Sequence, residues 1–132
     1  FKVTFHTAFE EVITNCQSIK RRGQKGTWIT NSMLEAYLQL HQLGIAKSVE
    51  VWQNDELVGG LYGVDLGKIF CGESMFSLVS NASKVAFVTL IQKLNVENYH
   101  LLDCQVHNSH LEKLGAFEIS RQNYIKILKS SL

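Results

Sequence analysis

Three apolar segments separated by short turns follow one another in the middle of the chain and constrain its fold most. They are residues 48–53, 56–64 and 68–77. Asn54 and Asp55 form a two-residue polar turn after the first segment, and residues 65–67 separate the second from the third. Short polar loops between apolar runs are typical of hairpins. The pattern therefore predicts an antiparallel meander of three strands.

Gly59, Gly60 and Gly63 all lie in the second of these strands. Three glycines are too many for ordinary strand filling, because glycine contributes no side chain to the packing of a sheet. They predict a bulge, or a place where a ligand or another backbone approaches closely.

The spacing of apolar residues predicts the elements on either side of the meander. Before it we expect a short strand and two helices, the second capped by Thr30 and ended by Gly44. After it we expect a helix capped by Ser80 or Asn81, a strand, a short helix capped by Asn108, a strand and a last helix. The expected ranges are 2–6, 8–18 and 30–43 before the meander, and 80–94, 99–106, 109–114, 117–120 and 121–132 after it. This order is typical of an α+β sandwich.

Length and composition describe one domain spanning residues 1–132. The formal net charge is +1, and the three cysteines show no paired spacing, which favours a reducing cytosol. No apolar run approaches the ~20 residues of a membrane span, so we expect no membrane contact. The first residue is Phe1 rather than methionine, which predicts that the chain begins inside a longer protein.

Asp103 and Gln105 are two polar residues within an otherwise apolar strand segment. Side chains two apart on a strand share a face, so the acid and the amide would project side by side. A buried carboxylate is costly unless it is paired or used. The pair is either a satisfied polar brace at a strand end or the centre of a reaction. Cys104 lies between them and should point to the opposite face, which favours a core cysteine over a nucleophile.

A series of motifs then resembles a known family. The second half, a meander followed by a helix, a strand and a short helix ending Leu-Gly-Ala-Phe, resembles the GNAT acyltransferase fold. In chain order, the motifs over residues 26–124 resemble the bacterial leucyl/phenylalanyl-tRNA–protein transferases. They include Gly-Thr-Trp-Ile-Thr (26–30), Ser-Val-Glu-Val-Trp (48–52), Leu-Val-Gly-Gly-Leu-Tyr-Gly (57–63), Phe-Cys-Gly-Glu-Ser-Met-Phe-Ser (70–77), Asn-Ala-Ser-Lys (81–84), Asp-Cys-Gln (103–105) and Leu-Gly-Ala (114–116).

The resemblance implies a GNAT-like fold with a mixed, mostly antiparallel sheet flanked by helices. It implies transfer of leucine or phenylalanine, with methionine as a further candidate, from aminoacyl-tRNA to proteins with N-terminal Arg or Lys. The product would be marked for N-end-rule degradation. No metal and no other cofactor is implied, and the enzyme would be a cytoplasmic monomer. The family also has a smaller N-terminal domain that this chain lacks, so the chain is expected to be an incomplete enzyme.

The resemblance also assigns roles to residues. Asp103 and Gln105 would hold and deprotonate the acceptor amine, Gln105 by positioning and Asp103 electrostatically or as proton acceptor. Strand alternation would put Glu73, Met75 and Ser77 on one face, where Glu73 could take the ammonium of a bound amino acid. The apolar lining would be Leu61, Met75, Phe87, Leu90 and Leu102. Taken singly, each of these apolar residues is also what an ordinary core contains.

Other residues are candidates for binding the tRNA. Trp28 is either a stacking platform for the terminal adenine or a tryptophan at the edge of the core. Lys84 and a basic cluster could contact phosphates of the acceptor stem, although the cluster alone is also typical of a solvated loop. The cluster consists of Lys20, Arg21, Arg22 and Lys25.

Two other functions stay open. An acyl-CoA-dependent N-acetyltransferase would have the same fold, but it usually has a glycine-rich turn between the meander and the next helix. The corresponding turn in this chain, residues 77–82, contains no glycine. A non-catalytic module that binds tRNA or peptide is the other alternative.

Overall fold

The computed structural model describes residues 1–19, 30–104 and 109–131. Within them a five-stranded sheet has the spatial order β1-β2-β3-β4-β5, which is also the order of the strands in the sequence. The strands are β1 (Lys2–Phe5), β2 (Ala46–Gln53), β3 (Glu56–Asp65), β4 (Ile69–Ser77) and β5 (Leu101–Asp103). The helices are α1 (Phe9–Ser18), α2 (Asn31–Gln42), α3 (Ala82–Val96), α4 (Ser109–Lys113) and α5 (Arg121–Ser131).

The predicted meander is confirmed. Strands β1 to β4 pair antiparallel with their neighbours, and only β5 runs parallel to β4. Asn54 and Asp55 both have positive φ, 53° and 65°, at the β2–β3 turn. Two consecutive left-handed residues are what a tight hairpin turn needs to match the twist of its strands. The predicted cap of α2 is also present, since the Thr30 hydroxyl accepts a hydrogen bond from the Met33 amide at 3.2 Å.

Helices cover both faces of the sheet and divide the core in two. We call the first the α3-side core, in which Val49, Leu61 and Phe70 pack against α3 residues such as Phe87 and Leu90. The second is the α1–α2-side core, in which buried residues of α1, together with Tyr62 and Phe76, pack against α2. Because alternate residues of one strand enter different cores, strand alternation decides which helices a side chain meets.

The glycines of β3 have the roles that the sequence predicted. A Cβ on Gly59 would lie 2.5 Å from the Cβ of Ala82, so α3 begins against this strand at a distance that only glycine allows. The register of β3 against β4 shifts between Tyr62 and Gly63. Tyr62 pairs with Ser74 and Gly63 pairs with Gly72, so Glu73 is an extra residue in β4, a bulge.

Two predicted strands differ from the structure. The strand expected over residues 99–106 is shorter, β5 covers Leu101–Asp103, and residues 105–108 are outside the described part. The strand expected over 117–120 is wrong. These residues link α4 to α5, and Phe117 is 81% exposed. The physical reason for the difference is local. The Ser120 hydroxyl caps α5 by accepting a hydrogen bond from the Asn123 amide, so the segment ends in the start of a helix.

A fully buried carboxylate is the feature that sequence reasoning missed in the fold. Glu50, on β2, accepts hydrogen bonds from the hydroxyls of Thr4, Thr7 and Ser48 and from the Thr7 amide. A buried carboxylate is tolerated only when its oxygens are satisfied in this way. These hydrogen bonds connect β1 and the turn after it to β2.

Candidate active site

The candidate site lies where the pairing between β4 and β5 ends. These strands pair in parallel over three residue pairs, the last of which is Cys71 with Asp103. Strand β4 then continues to Ser77, while in the described residues β5 stops at Asp103. In the described residues, the backbone of β4 therefore extends past the end of β5.

Asp103 is held there by a tyrosine from the last helix. The Tyr124 hydroxyl donates a hydrogen bond to Oδ2 of Asp103 at 2.9 Å. The same hydroxyl shares a hydrogen bond with the thiol of Cys71, the β4 residue opposite Asp103. Burial raises the pKa of the Tyr124 phenol, and the hydrogen bond to Asp103 raises it further. Tyr124 is therefore protonated and acts as the donor.

Glu73 lies close enough to Asp103 for their charges to interact. Burial raises the pKa of the Glu73 carboxyl, a hydrogen bond with Tyr37 of α2 opposes this rise, and the Asp103 charge adds to it. The Tyr37 phenol has a raised pKa, mainly from burial and then from the Glu73 charge. Two carboxylates thus share this end of the sheet, and each has its own tyrosine donor.

The predicted common face for Glu73, Met75 and Ser77 is wrong for Glu73. Its hydrogen bond goes to Tyr37, which packs in the α1–α2-side core, whereas Met75 packs against the α3-side core. The cause is the bulge at Glu73, because one extra residue reverses the alternation of a strand from that point. Sequence alternation alone could not reveal the inserted residue.

The predicted apolar lining does come together. Leu61, Phe87 and Leu90 are 3–5% exposed members of the α3-side core, and Met75 and Leu102 are partly buried against them. Met75 and Leu102 are carried by the two strands that flank the end of the β4–β5 pairing. The cluster therefore adjoins the two carboxylates from the other side of the sheet.

Ser77 and Lys84 lie at the start of α3, away from the carboxylates along β4. The Ser77 hydroxyl donates to the Val79 carbonyl at 2.7 Å and accepts from the Ser83 amide at 3.2 Å, so it shapes the turn into α3. Lys84 is exposed in the first turn of this helix. The remaining predicted residues lie outside the described part of the chain: Gln105, Trp28, Lys20, Arg21, Arg22 and Lys25.

Tyr37 and Tyr124 are the site residues that sequence reasoning missed. Each tyrosine lies at helical spacing from apolar neighbours, so the sequence pattern accounts for it as a packing residue. A tyrosine at the edge of an apolar helix face is a weak signal, although its hydroxyl needs a polar partner when buried. Only the tertiary structure, in which Tyr37 meets Glu73 and Tyr124 meets Asp103, identifies those partners.

The cysteines of the site are poor nucleophiles. Burial raises the pKa of the Cys104 thiol and the charge of Asp103 raises it further. The pKa of the Cys71 thiol is raised in the same two ways. Cys104 packs against the α3-side core, so it does lie on the opposite face from Asp103, as predicted. A thiol attacks as the thiolate, which both environments disfavour.

A separate cleft of about 410 Å³ opens between the start of α1 and the end of α2. The residues that line it include Thr7, Phe9, Glu10 and His41.

Within the described residues, no three His, Cys, Asp or Glu side chains form a group that could hold a metal ion. In the same part of the chain, no helix is long and apolar enough to cross a bilayer.

The arrangement suits the handling of an amine rather than covalent catalysis by the protein. A carboxylate can accept a proton from an ammonium group or attract its charge, and an apolar cluster beside it can hold a side chain. Asp103 and Glu73 have different surroundings, so one carboxylate can accept a proton from one amino group while the other attracts the charge of a second.

Comparison with solved structures identifies the fold. The ribosomal-protein-alanine N-acetyltransferase from Brucella melitensis biovar Abortus 2308 matches with a TM-score of 0.64 and 11% identity, over 91% of this chain and 95% of that chain. The Tetrahymena GCN5 structure matches with a TM-score of 0.64 and 10% identity, over 94% and 86%. The predicted α+β, GNAT-like fold is confirmed by these neighbours.

Sequence comparison identifies the family. A relative in Flavobacterium johnsoniae, a leucyl/phenylalanyl-tRNA–protein transferase, is 68% identical over 130 residues, which cover 98% of this chain and 61% of the relative. A protein of the same name in Thermodesulfovibrio yellowstonii is 48% identical over 132 residues, covering 54% of its length. The chain thus spans roughly half to three-fifths of these relatives. The family model for leucyl/phenylalanyl-tRNA protein transferase matches residues 1–129, and the chain belongs to this family.

Proposed function

We propose that this chain carries the aminoacyl-transfer site of its family. It moves leucine or phenylalanine, with methionine as a further candidate, from aminoacyl-tRNA to the α-amino group of proteins with N-terminal Arg or Lys. The transfer marks those proteins for N-end-rule degradation in the cytoplasm. The observation that carries the proposal is the pair of tyrosine-bound carboxylates, Asp103 and Glu73, beside an apolar cluster at the end of the β4–β5 pairing.

The reaction is the aminolysis of an ester that is already activated. The acceptor amine attacks the aminoacyl carbonyl carbon, a C–N bond forms, and the C–O bond to the tRNA ribose breaks. The acceptor nitrogen loses its surplus protons, and the ribose oxygen leaves as a hydroxyl after taking one of them. Holding the amine at attack distance and accepting its proton are the main contributions that a protein can make. No covalent enzyme intermediate is needed.

Asp103 and Glu73 divide this work in our proposal. Asp103 attracts the acceptor ammonium and accepts its proton, and Gln105 positions the amine. Glu73 binds the α-ammonium of the amino acid being transferred. The difference between their surroundings supports this division, because Asp103 lies at the end of β5 while Glu73 is bulged toward Tyr37.

The amino acid's side chain would enter the α3-side core between Met75 and Leu102. These are the partly buried members of the predicted lining, whereas Leu61, Phe87 and Leu90 form its nearly closed floor. Past Cys71, in the described residues, no strand lies beside β4 on the β5 side. In our proposal the amino acid lies at this edge and contacts Glu73 and Met75 together, although they face opposite layers.

The tRNA would lie over the start of α3. Lys84 is exposed there, and Trp28 and the basic cluster are the other candidates, for the terminal adenine and for the acceptor-stem phosphates. We further propose that residues 1–132 act as one domain and as a monomer, and that they need no cofactor.

The direct test is transfer of labelled leucine from leucyl-tRNA to a peptide that begins with Arg. The matched control is the same peptide beginning with Gly. The chain should be assayed alone and as a chimera with the part of the Flavobacterium johnsoniae relative that it does not cover. Arg-dependent transfer by either form supports the proposal. Leucine transfer by neither form, with both folded by circular dichroism, contradicts it.

An acyl-CoA-dependent N-acetyltransferase is the second candidate, because the matching folds belong to acetyltransferases. Thermal-shift measurements separate the two. We expect a leucyl- or phenylalanyl-adenosine analogue to raise the melting temperature and acetyl-CoA to leave it unchanged, and the reverse result would favour acetyl transfer. Binding of the analogue without any transfer would instead indicate a non-catalytic module.

A further inference from the structure

Helix α5 is bound to both ends of β5. At its start, Tyr124 donates to Asp103, the last residue of the strand, at 2.9 Å. At its end, the Ser131 hydroxyl is hydrogen-bonded to Nδ1 of His100, which directly precedes the strand, at 2.8 Å. Helix α5 therefore runs antiparallel to β5.

The distance between the two bonded residues is nearly the same on the helix and on the strand. Seven residues of helix from Tyr124 to Ser131 rise about 10.5 Å. Three residues of strand from His100 to Asp103 span about 10 Å. Because both ends can be bonded without stretching either element, the position of the Tyr124 hydroxyl is fixed by the helix as a whole. The Ser120 cap also holds the helix start, where the Tyr124 amide donates to the Ser120 carbonyl at 2.9 Å.

We propose that Tyr124 is a positioning residue for aminoacyl transfer, which fixes the orientation of the Asp103 carboxylate where the acceptor amine binds. This inference rests on the function proposed above. Tyr124 does not contact the reacting atoms in this scheme, and it acts only through Asp103.

The need for such a donor comes from the neighbouring groups. Among the described residues, Glu73 of β4 carries a charge of the same sign, and its interaction with Asp103 adds to the rise in the pKa of the Glu73 carboxyl. Like charges at short range repel each other, so each carboxylate needs a bond that holds it in place. Tyr124 supplies such a bond to Asp103 at 2.9 Å, and Tyr37 of α2 supplies one to Glu73.

The test is Tyr124→Phe in the labelled-leucine assay, in whichever form of the protein transfers leucine. We expect kcat to fall about tenfold, as for loss of one aligned charge-assisted hydrogen bond, with KM for leucyl-tRNA changed less than about twofold. The loss should fall on kcat rather than on KM, because a misplaced Asp103 fails to hold the nucleophile while the leucyl-tRNA still binds.

Tyr99→Phe is the matched control. Tyr99 donates to Oδ2 of Asp65 at 2.6 Å, so the substitution removes the same kind of bond outside the site. It should lower the melting temperature and leave kcat unchanged. If Tyr124→Phe has the kcat of the unsubstituted protein, or if Tyr99→Phe lowers kcat equally, the inference is wrong.

Two further variants make the test decisive. Asp103→Ala separates the two proposals: if it retains transfer, the proposed function of this site fails, whereas an inactive Asp103→Ala beside an unaffected Tyr124→Phe rejects only the role of Tyr124. If Tyr124→Phe does not fold, 4-aminophenylalanine at position 124 keeps the shape and offers a weaker donor. The value of kcat should then fall by several fold, and an unchanged kcat would reject the inference.

Discussion

Glu73 and Met75 lie two residues apart on β4, yet their side chains contact opposite layers of the protein. The bulge that separates them brings a carboxylate toward Tyr37 without removing Met75 from the α3-side core. A regular strand would have buried Glu73 among apolar side chains, where a charge is very costly. The irregularity therefore allows a charged group and an apolar pocket to adjoin each other.

Asp103→Ala should reduce leucine transfer by about a hundredfold or more, the range expected for a group that holds and deprotonates the nucleophile. Gln105→Ala should also cut transfer severely, and both proteins should stay folded. Glu35→Gln, an exposed carboxylate on α2, is the control and should transfer normally. Rates near normal in either Ala variant would remove that residue from the mechanism.

Glu73→Gln should stabilise the protein while weakening ligand binding. Because burial raises the pKa of Glu73 in the folded state, its ionisation costs folding free energy as pH rises through that pKa. The variant should therefore melt at a higher temperature at neutral pH, and the gain should vanish below the ordinary value of 4.5.

The same Glu73→Gln variant should bind a leucyl-adenosine analogue more weakly, measured by calorimetry. In the unsubstituted protein, affinity should fall as pH drops through the raised pKa, because only the carboxylate attracts an ammonium. Exposed Glu56→Gln on β3 is the control for both measurements. A loss of stability at neutral pH, or unchanged affinity, would contradict the assignment.

Lys84→Gln should weaken tRNA binding through the loss of one phosphate contact. The slope of log affinity against log salt should become shallower by about 0.7–0.9, measured by filter binding over a salt series. Lys2→Gln is the control, because Lys2 is exposed on β1 at the sheet edge opposite β5. Equal slopes for the two variants would place Lys84 outside the tRNA contact.

Glu50→Gln should destabilise the fold. Thr4 and Thr7 donate to Oε1 of Glu50, and Ser48 donates to Oε2. Because the Thr7 backbone N–H cannot reverse its role, the amide oxygen must stay at Oε1, and the N–H₂ group then removes the buried acceptor of the Ser48 hydroxyl. The expected loss is on the order of 2 kcal/mol in urea unfolding. Glu56→Gln again serves as control. Equal midpoints for the two variants would show that the network adds nothing to stability.

Gly59→Ala should lose roughly 1–3 kcal/mol in the same measurement, because a Cβ would meet Ala82 at 2.5 Å and displace the start of α3. Gly72→Ala is the matched control, since its Cβ would make only an ordinary contact of 3.5 Å with the Asp103 carbonyl. We expect Gly59→Ala to unfold at clearly lower urea than Gly72→Ala, and the opposite order would contradict the close approach.

The meander and the helices around it could be predicted because each depends on local signals, whereas the GNAT-like fold followed from the resemblance of the motifs. The Asn54-Asp55 pair forms a tight turn through its own backbone, and Thr30 caps a helix through a bond to a neighbouring amide. Burial of residues such as Leu61 and Phe87 could be predicted for a similar reason, since they are strongly apolar, but their place in a pocket was implied only by the resemblance.

The missed features depend on contacts between distant segments. The partner of Asp103 is 21 residues away, and Thr4 and Thr7 reach Glu50 across 46 and 43 residues. Phe117 illustrates the converse error, because a short alternating segment predicted a strand where the chain offers it no partner among the described residues. Spacing along one segment carries no information about which other segment docks on it.

The position of Tyr124 in the sequence has a consequence for synthesis. A ribosome makes Tyr37 first, then Glu73, then Asp103, and Tyr124 comes from the last described helix. The two carboxylates are thus made before α5 can dock. A nascent chain that has folded strands β1 to β5 still lacks the donor at Asp103. In our scheme, transfer to free amino groups reaches its full rate only when translation has passed α5, so the unfinished chain is a weaker catalyst than the protein that contains this helix.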